Sequence, residues 1–122
     1  MSLKKARAAP SRITIMILDV YIENKLHKIE IPEDVFTSGA DFFAMMDADM
    51  DKGWKMGPDF IETPDSKMRA QIAASRIPSA LEKENNNLLH LLAGYIVTRM
   101  PGAEAVNIDM NGEPLNTDFI IK

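Results

Sequence analysis

The sequence has no cysteine among its 122 residues, which excludes disulfides, thiol nucleophiles, iron–sulfur clusters and cysteine-ligated zinc. It also lacks an N-terminal apolar segment of the signal-peptide type and any run of about 18 apolar residues, so we expect no secretory signal, no membrane span and a cytoplasmic location. The glycine-rich phosphate motifs and the paired-histidine zinc motif are absent as well. The sequence therefore indicates no nucleotide or zinc-hydrolase chemistry.

Positive charge is scarce. The chain has 14 Lys+Arg against 18 Asp+Glu, and its net charge of -4 disfavours nucleic acid as a partner. Residues 1–12 carry four of the basic residues and no acid, so the remaining chain has 10 basic and 18 acidic residues, or -8. We predict a basic flexible arm over residues 1–12 and a single domain over residues 13–122. A domain of this length buries enough apolar surface to fold without a metal or a disulfide.

Two β-hairpins are predicted, one near each end of the domain. Residues 13–22 are rich in β-branched side chains and continue into residues 26–31 around a turn at residues 24–25. Near the other end, Asn111-Gly112 is the dipeptide typical of a type I′ turn. It predicts a tight two-residue connection between the last two strands.

Between the hairpins the apolar spacing changes to the 3.6-residue period of helices. A first helix is predicted over residues 32–46 and a loop over residues 47–62. Residues 64–99 show a helical pattern that is longer than a domain of this size, so it must break at Pro78 or at residues 85–87. The sequence therefore predicts an α+β fold, in which the N- and C-terminal hairpins form an antiparallel sheet packed by three to four central helices.

The strand, tight turn, strand and Pro-Glu-initiated helix over residues 13–46 resemble the opening of a β-grasp domain. The resemblance covers about a quarter of the chain. Iron–sulfur members of that family require cysteine, and its sulfur-carrier members end in Gly-Gly, whereas this chain ends Ile120-Ile121-Lys122. The resemblance therefore implies an order of elements and no activity.

The alternating aspartates Asp47, Asp49 and Asp51 resemble the start of an EF-hand calcium loop, in which successive carboxylates converge on a hard cation. Lys52 stands where that family has glycine, and Pro58 stands where it has the bidentate glutamate. One hypothesis is a Ca²⁺ or Mg²⁺ site formed by the three aspartates, and no other cofactor is predicted. The alternative is a solvated acidic loop that caps a helix end.

The only tryptophan, Trp54, lies in the same predicted loop and is of a residue type enriched at protein interfaces. Together with Lys55, Met56 and Asp59 it is predicted to form a surface for a protein partner. Residues 33–65 hold nine acids and two lysines, a net charge of -7, so we expect this partner to be basic. The alternative is that Trp54 folds back to seal the core.

The two histidines, His27 and His90, support a third hypothesis, an enzyme with a histidine and carboxylate pocket between the sheet and the helices.

Residues 81–99 carry an apolar stripe that is broader than one contact with a sheet requires. This stripe predicts either a homo-oligomer interface or burial within one chain. The leading hypothesis is a small non-enzymatic accessory domain that binds a protein partner, with cation binding and catalysis as alternatives.

Overall fold

A computed structural model describes residues 14–121, and the predicted basic arm lies outside the described residues. The α+β fold is confirmed: helices pack against one face of a four-stranded sheet, and a separate two-stranded sheet follows the second helix. In chain order the elements are β1 (Thr14–Ile22), β2 (Lys25–Pro32), α1 (Val35–Ser38), α2 (Ala40–Met50), β3 (Trp54–Met56), β4 (Asp59–Ile61), α3 (Ser66–Ser75), α4 (Ile77–Glu82), α5 (Asn86–Arg99), β5 (Ala103–Ile108), a 3₁₀ turn (Pro114–Asn116) and β6 (Asp118–Ile121).

The four-stranded sheet has the order β2-β1-β5-β6. β1 pairs antiparallel with β2, and β5 pairs antiparallel with β6, so both predicted hairpins are present. The hairpins meet through β1 and β5, which run parallel, with Asp19 beside Ala105. The sheet is therefore mixed and not antiparallel throughout. The reason is that the helices between the hairpins act as a crossover, which returns the chain to the end of the sheet at which β1 begins.

The β1–β2 hairpin turns at Glu23 and Asn24, whose φ angles of 51° and 70° are those of a type I′ turn. This turn lies one residue earlier in the chain than predicted. The register changes with it, and Leu18 pairs with Ile29. Both of these side chains are buried under the helices.

The β5–β6 hairpin is wider than predicted. The connection between its strands, residues 109–117, contains the 3₁₀ turn, and Val106 pairs with Phe119. The tight connection predicted at Asn111-Gly112 is wrong. Pro114 has no N–H to donate to a ladder, so the chain coils through local hydrogen bonds before β6 begins.

Helix α5 lies at the centre of the core, where the sheet, α1, α3 and α4 pack around it. Its buried residues are Leu89, Leu92, Ala93, Gly94, Tyr95, Ile96 and Val97. The broad apolar stripe over residues 81–99 is accounted for by burial within one chain. The structure gives no support to an oligomer interface along this helix.

The long helical pattern breaks at both predicted places. Helix α3 ends at Ser75, and Pro78 lies in the first turn of α4. Asn85 caps α5, because its side chain accepts a hydrogen bond from the backbone N–H of Leu88 at 3.2 Å. Among residues 14–121, no helix is both long and apolar enough to cross a membrane.

Candidate functional site

Residues 47–62, predicted as a loop, form regular structure. Helix α2 extends to Met50, and the β3–β4 hairpin follows it. The loop prediction is wrong because Met46 and Met50, four residues apart, continue the buried stripe of α2 by one more turn. Asp47 and Asp49 are therefore helical residues.

Asp47 is the centre of a polar cluster that joins three helices. Its carboxylate accepts a hydrogen bond from the Tyr95 hydroxyl at 2.6 Å and forms ion pairs with Arg99 and, at 3.3 Å, with Arg69. Arg69 also forms an ion pair with Asp51 at 2.7 Å. These contacts hold the C-terminal turns of α2 and α5 to the first half of α3.

The contacts of this cluster set its ionisation. Burial disfavours the charged form of Asp47, but the hydrogen bonds from Arg99 and Tyr95 and the charge of Arg99 outweigh burial, so the pKa of Asp47 lies below its usual value of 3.8. Burial and the hydrogen bond to the Asp47 carboxylate raise the pKa of Tyr95. At neutral pH the cluster therefore contains an ionised Asp47 and a neutral Tyr95.

The three aspartates of the predicted cation site lie in different surroundings. Asp49 is exposed, whereas Asp47 and Asp51 are both bound by the guanidinium group of Arg69. A bound cation would have to replace Arg69 at both carboxylates. In the part of the chain that the structure describes, no group of three or more histidine, aspartate or glutamate side chains is placed to hold a metal ion.

The predicted partner surface divides between the two faces of the β3–β4 hairpin. Trp54 and Met56 share the inner face, where Trp54 is half-buried and Met56 is only 1% exposed. Lys55 lies on the outer face opposite Phe60, which is 61% exposed, and Asp59 is exposed next to the turn. Met56 therefore holds the hairpin to the core and offers no surface to a partner. Phe60, which the sequence did not single out, does offer one.

Trp54 borders an open groove of about 1180 Å³. The groove lies where the parallel strands β1 and β5 end, between the β3–β4 hairpin, the start of α4 and the β5–β6 loop. In open sheets, ligands bind outside the carboxyl ends of adjacent parallel strands. The charged residues that border the groove are Glu23, Glu82, Asp109, Glu113, Lys25 and Lys55. Four acids and two lysines give this border a net charge of -2.

The β5–β6 loop, which forms one wall of the groove, is held by hydrogen bonds that the Asp109 side chain accepts and the Gln71 side chain donates. The Asp109 carboxylate accepts hydrogen bonds from the backbone N–H groups of Asn111 and Glu113, both at 3.0 Å. The side-chain amide of Gln71, a residue only 2% exposed, donates to two carbonyl groups near the end of the loop, at 2.9 and 3.2 Å. This wall is therefore preorganised and anchored on α3.

The β3–β4 hairpin and the β5–β6 loop meet at their tips. Gly57 and Gly112 both have left-handed φ angles, 69° and 81°. A Cβ atom on Gly57 would lie 3.2 Å from the carbonyl oxygen of Gly112, which leaves little room for a side chain. The two flanking segments thus form one continuous wall of the groove.

The structure brings the two histidines together, although they are far apart in sequence. His27 borders the large groove and also a smaller groove of about 310 Å³ between β2 and helices α4 and α5. His90 and Glu30 border the smaller groove as well, and both histidines are half-buried. This shared groove is the geometric feature on which the enzyme hypothesis rests.

The large groove combines an indole side chain, several carboxylates and a wall of ordered backbone. Comparison with protein-family models, with curated proteins and with solved structures found no match. The chemistry of the groove is therefore the guide to its ligand. Carboxylates attract cationic groups, and the face of a tryptophan ring attracts them further.

We expect Gln71→Leu to lower the free energy of unfolding by about 1 kcal/mol, because two loop carbonyls lose their donor. Amide hydrogen exchange over residues 109–117 should become faster, since the loop loses its anchor on α3. Lys67→Leu changes an exposed residue of the same helix and is the matched control. Unchanged exchange in a folded Gln71→Leu protein would show that Gln71 does not anchor the loop.

Proposed function

We propose that this chain is a non-enzymatic interaction domain whose large groove binds a basic segment of a partner protein. The observation that carries this proposal is the position of Trp54 on the border of a groove whose charged residues are mainly acidic. Three predicted surface residues, Trp54, Lys55 and Asp59, belong to the hairpin that flanks it.

The dimensions of the groove support a peptide as the ligand. Its volume of about 1180 Å³ exceeds the roughly 300–1,000 Å³ of a site for a small molecule. Its walls come from the β1–β2 turn, the β3–β4 hairpin, α4 and the β5–β6 loop. A peptide segment is large enough to contact all four segments at once.

The charges of the groove support a basic ligand. Glu23 and Glu82 lie at its border together with the two acids of the β5–β6 loop. A lysine or arginine of the partner would gain Coulomb attraction from these carboxylates and about 0.5–1 kcal/mol from contact with the part of the indole ring that borders the groove. Lys25 and Lys55 at the same border would repel basic residues placed beside them, so the spacing of charges in the partner should matter.

The test is a titration of Trp54 fluorescence with an octa-lysine peptide, using octa-glutamate as the control peptide. We expect a saturable change in emission with octa-lysine only, and we expect the affinity to fall as salt is added. The double variant Glu82→Gln/Glu113→Gln should bind at least about threefold more weakly, since it removes two of the attracting charges.

Glu33→Gln/Asp34→Asn is the matched control for the double variant, because it removes the same number of charges from exposed residues that follow β2 at the far end of the sheet. It should bind octa-lysine as the wild-type chain does. An emission spectrum that octa-lysine leaves unchanged would contradict the proposal. Equal weakening by this control and by the groove variant would also contradict it, because binding would then follow net charge alone.

A further inference from the structure

Strand β2 is an edge strand of the four-stranded sheet, with β1 on one side and no described strand on the other. The two-residue turn makes Ile22 and Lys25 the first hydrogen-bonded pair of the hairpin. The direction of backbone groups alternates from there along β2. The backbone N–H and C=O groups of Leu26 and Lys28 therefore point away from β1, toward the edge of the sheet.

This edge carries charges of both signs in a regular order. Lys28 is 60% exposed on the face of the sheet that the helices leave open, where it forms an ion pair with Asp19 of β1 at 3.1 Å. Glu30 lies two residues further along the same face and is also exposed. A strand that approaches this edge meets a lysine and then a glutamate.

We propose that a second copy of this chain pairs with this edge, β2 against β2, in antiparallel orientation about a two-fold axis at Ile29. Lys28 of each copy then lies directly opposite Glu30 of the other. Each Lys28 is flanked by Asp19 of its own chain and by the glutamate of the second copy. The two four-stranded sheets become one continuous eight-stranded sheet.

The charges favour this register over the two neighbouring ones, in which the axis moves by one residue. An axis at Lys28 would place two lysines opposite each other, and an axis at Glu30 would place two glutamates opposite each other. Both arrangements are destabilising for cross-strand pairs, whereas the axis at Ile29 gives two attractive pairs. A lysine on an edge strand otherwise discourages pairing, so Lys28 accepts a strand only if that strand carries an acid opposite it.

The surroundings of the edge leave room for the second copy. The groove of about 310 Å³ between β2 and helices α4 and α5 runs beside Lys28 and Ile29. Open space therefore lies beside the edge strand on the side of the helices. Trp54 belongs to the β3–β4 hairpin and lies outside this interface, although Lys25 and His27 of β2 also border the large groove.

The test is sedimentation equilibrium on the full chain. We expect the wild-type protein to reach twice its mass of 13.6 kDa as its concentration rises. Lys28→Glu should raise the dimer dissociation constant at least about tenfold, because like charges then face each other across the interface. The double variant Lys28→Glu/Glu30→Lys restores opposite charges and should dimerise again. Lys67→Glu makes the same charge change on an exposed residue of α3, outside the interface, and should behave as the wild type.

Circular dichroism of each variant shows whether the fold is retained. A wild-type chain that stays at 13.6 kDa overturns the proposal. A dimer that Lys28→Glu leaves intact overturns it too, because another surface then joins the copies. Failure of the folded double variant to dimerise contradicts the register about Ile29.

Discussion

Asp47→Asn is expected to lower the free energy of unfolding at neutral pH by about 2–4 kcal/mol. The carboxylate of Asp47 binds three partners, the Tyr95 hydroxyl and the side chains of Arg69 and Arg99. An amide still accepts one hydrogen bond, but it cannot neutralise the guanidinium group of Arg99, whose side chain is only 25% exposed. The loss exceeds that of an ordinary surface ion pair because the partly desolvated Arg99 loses its ion pair with Asp47, while Arg69 keeps its ion pair with Asp51.

The effect of Asp47→Asn depends on pH in a defined direction. The pKa of Asp47 is lower in the folded chain than its usual value of 3.8, so its charge stabilises the fold above that value. This contribution is lost as the pH falls through the lower pKa of the folded state. The difference in stability between the variant and the wild type should therefore be constant near neutral pH and shrink below about pH 4.

Denaturant unfolding of both proteins over this pH range measures the difference. Asp49→Asn is the matched control, since Asp49 is an exposed aspartate on the same helix and the change in net charge is identical. It should alter stability by less than about 0.5 kcal/mol. Equal stability of the two variants at neutral pH would refute the central role of Asp47.

Gly94→Ala is expected to destabilise the protein by about 1–2 kcal/mol, although alanine is favoured over glycine in a helix by about 1 kcal/mol. A Cβ atom on Gly94 would lie 2.6 Å from Cγ1 of Val35 and 3.2 Å from the ring of Phe43. Valine has one preferred rotamer in a helix and cannot move aside. The steric cost therefore outweighs the gain in helix propensity.

A double-mutant cycle with Val35→Ala tests this explanation. Val35→Ala removes Cγ1, so Gly94→Ala made in that background should stabilise the protein instead of destabilising it. The unfolding free energies of the four proteins give the coupling between the two positions. A Gly94→Ala effect of the same sign and size in both backgrounds would show that Val35 is not the obstacle.

The hairpin registers show what an alternating sequence pattern specifies. The turn predicted at residues 24–25 would place Leu18 opposite Ile31, and Leu18 lies opposite Ile29. In the C-terminal hairpin, the partner of Val106 is likewise two residues away from the one that a turn at residues 111–112 would give. An even displacement of this kind leaves a side chain on its own face of the sheet, so the core positions of these strands were predictable. The exact register depends on turn geometry, which the residues of each turn specify less strongly.

The remainder of the candidate site depends on contacts between distant parts of the chain. Asp47 lies 22 residues from Arg69 and 52 residues from Arg99 in the sequence, and no local sequence pattern indicates that these side chains are in contact. The aspartate spacing instead favoured a loop and a cation site. For Gln71 the sequence held one signal, a long polar side chain among the apolar residues of the segment 70–74. Trp54 stands out in the sequence because it is the only tryptophan. Its side chain is half-buried, so it partly seals the core and partly remains available at the surface.

The parallel pairing of β1 with β5 also determines the order in which the sheet can assemble. Asp19 and Ala105 are 105 minus 19, or 86, residues apart, so the central strand pair closes a loop that contains helices α1 to α5. The β1–β2 hairpin, by contrast, closes over two residues and can form early. Until β5 is in place, β1 is a second open edge beside β2. A chain that is interrupted before residue 103 would therefore present two strand edges to its neighbours, and should aggregate more readily than the complete fold.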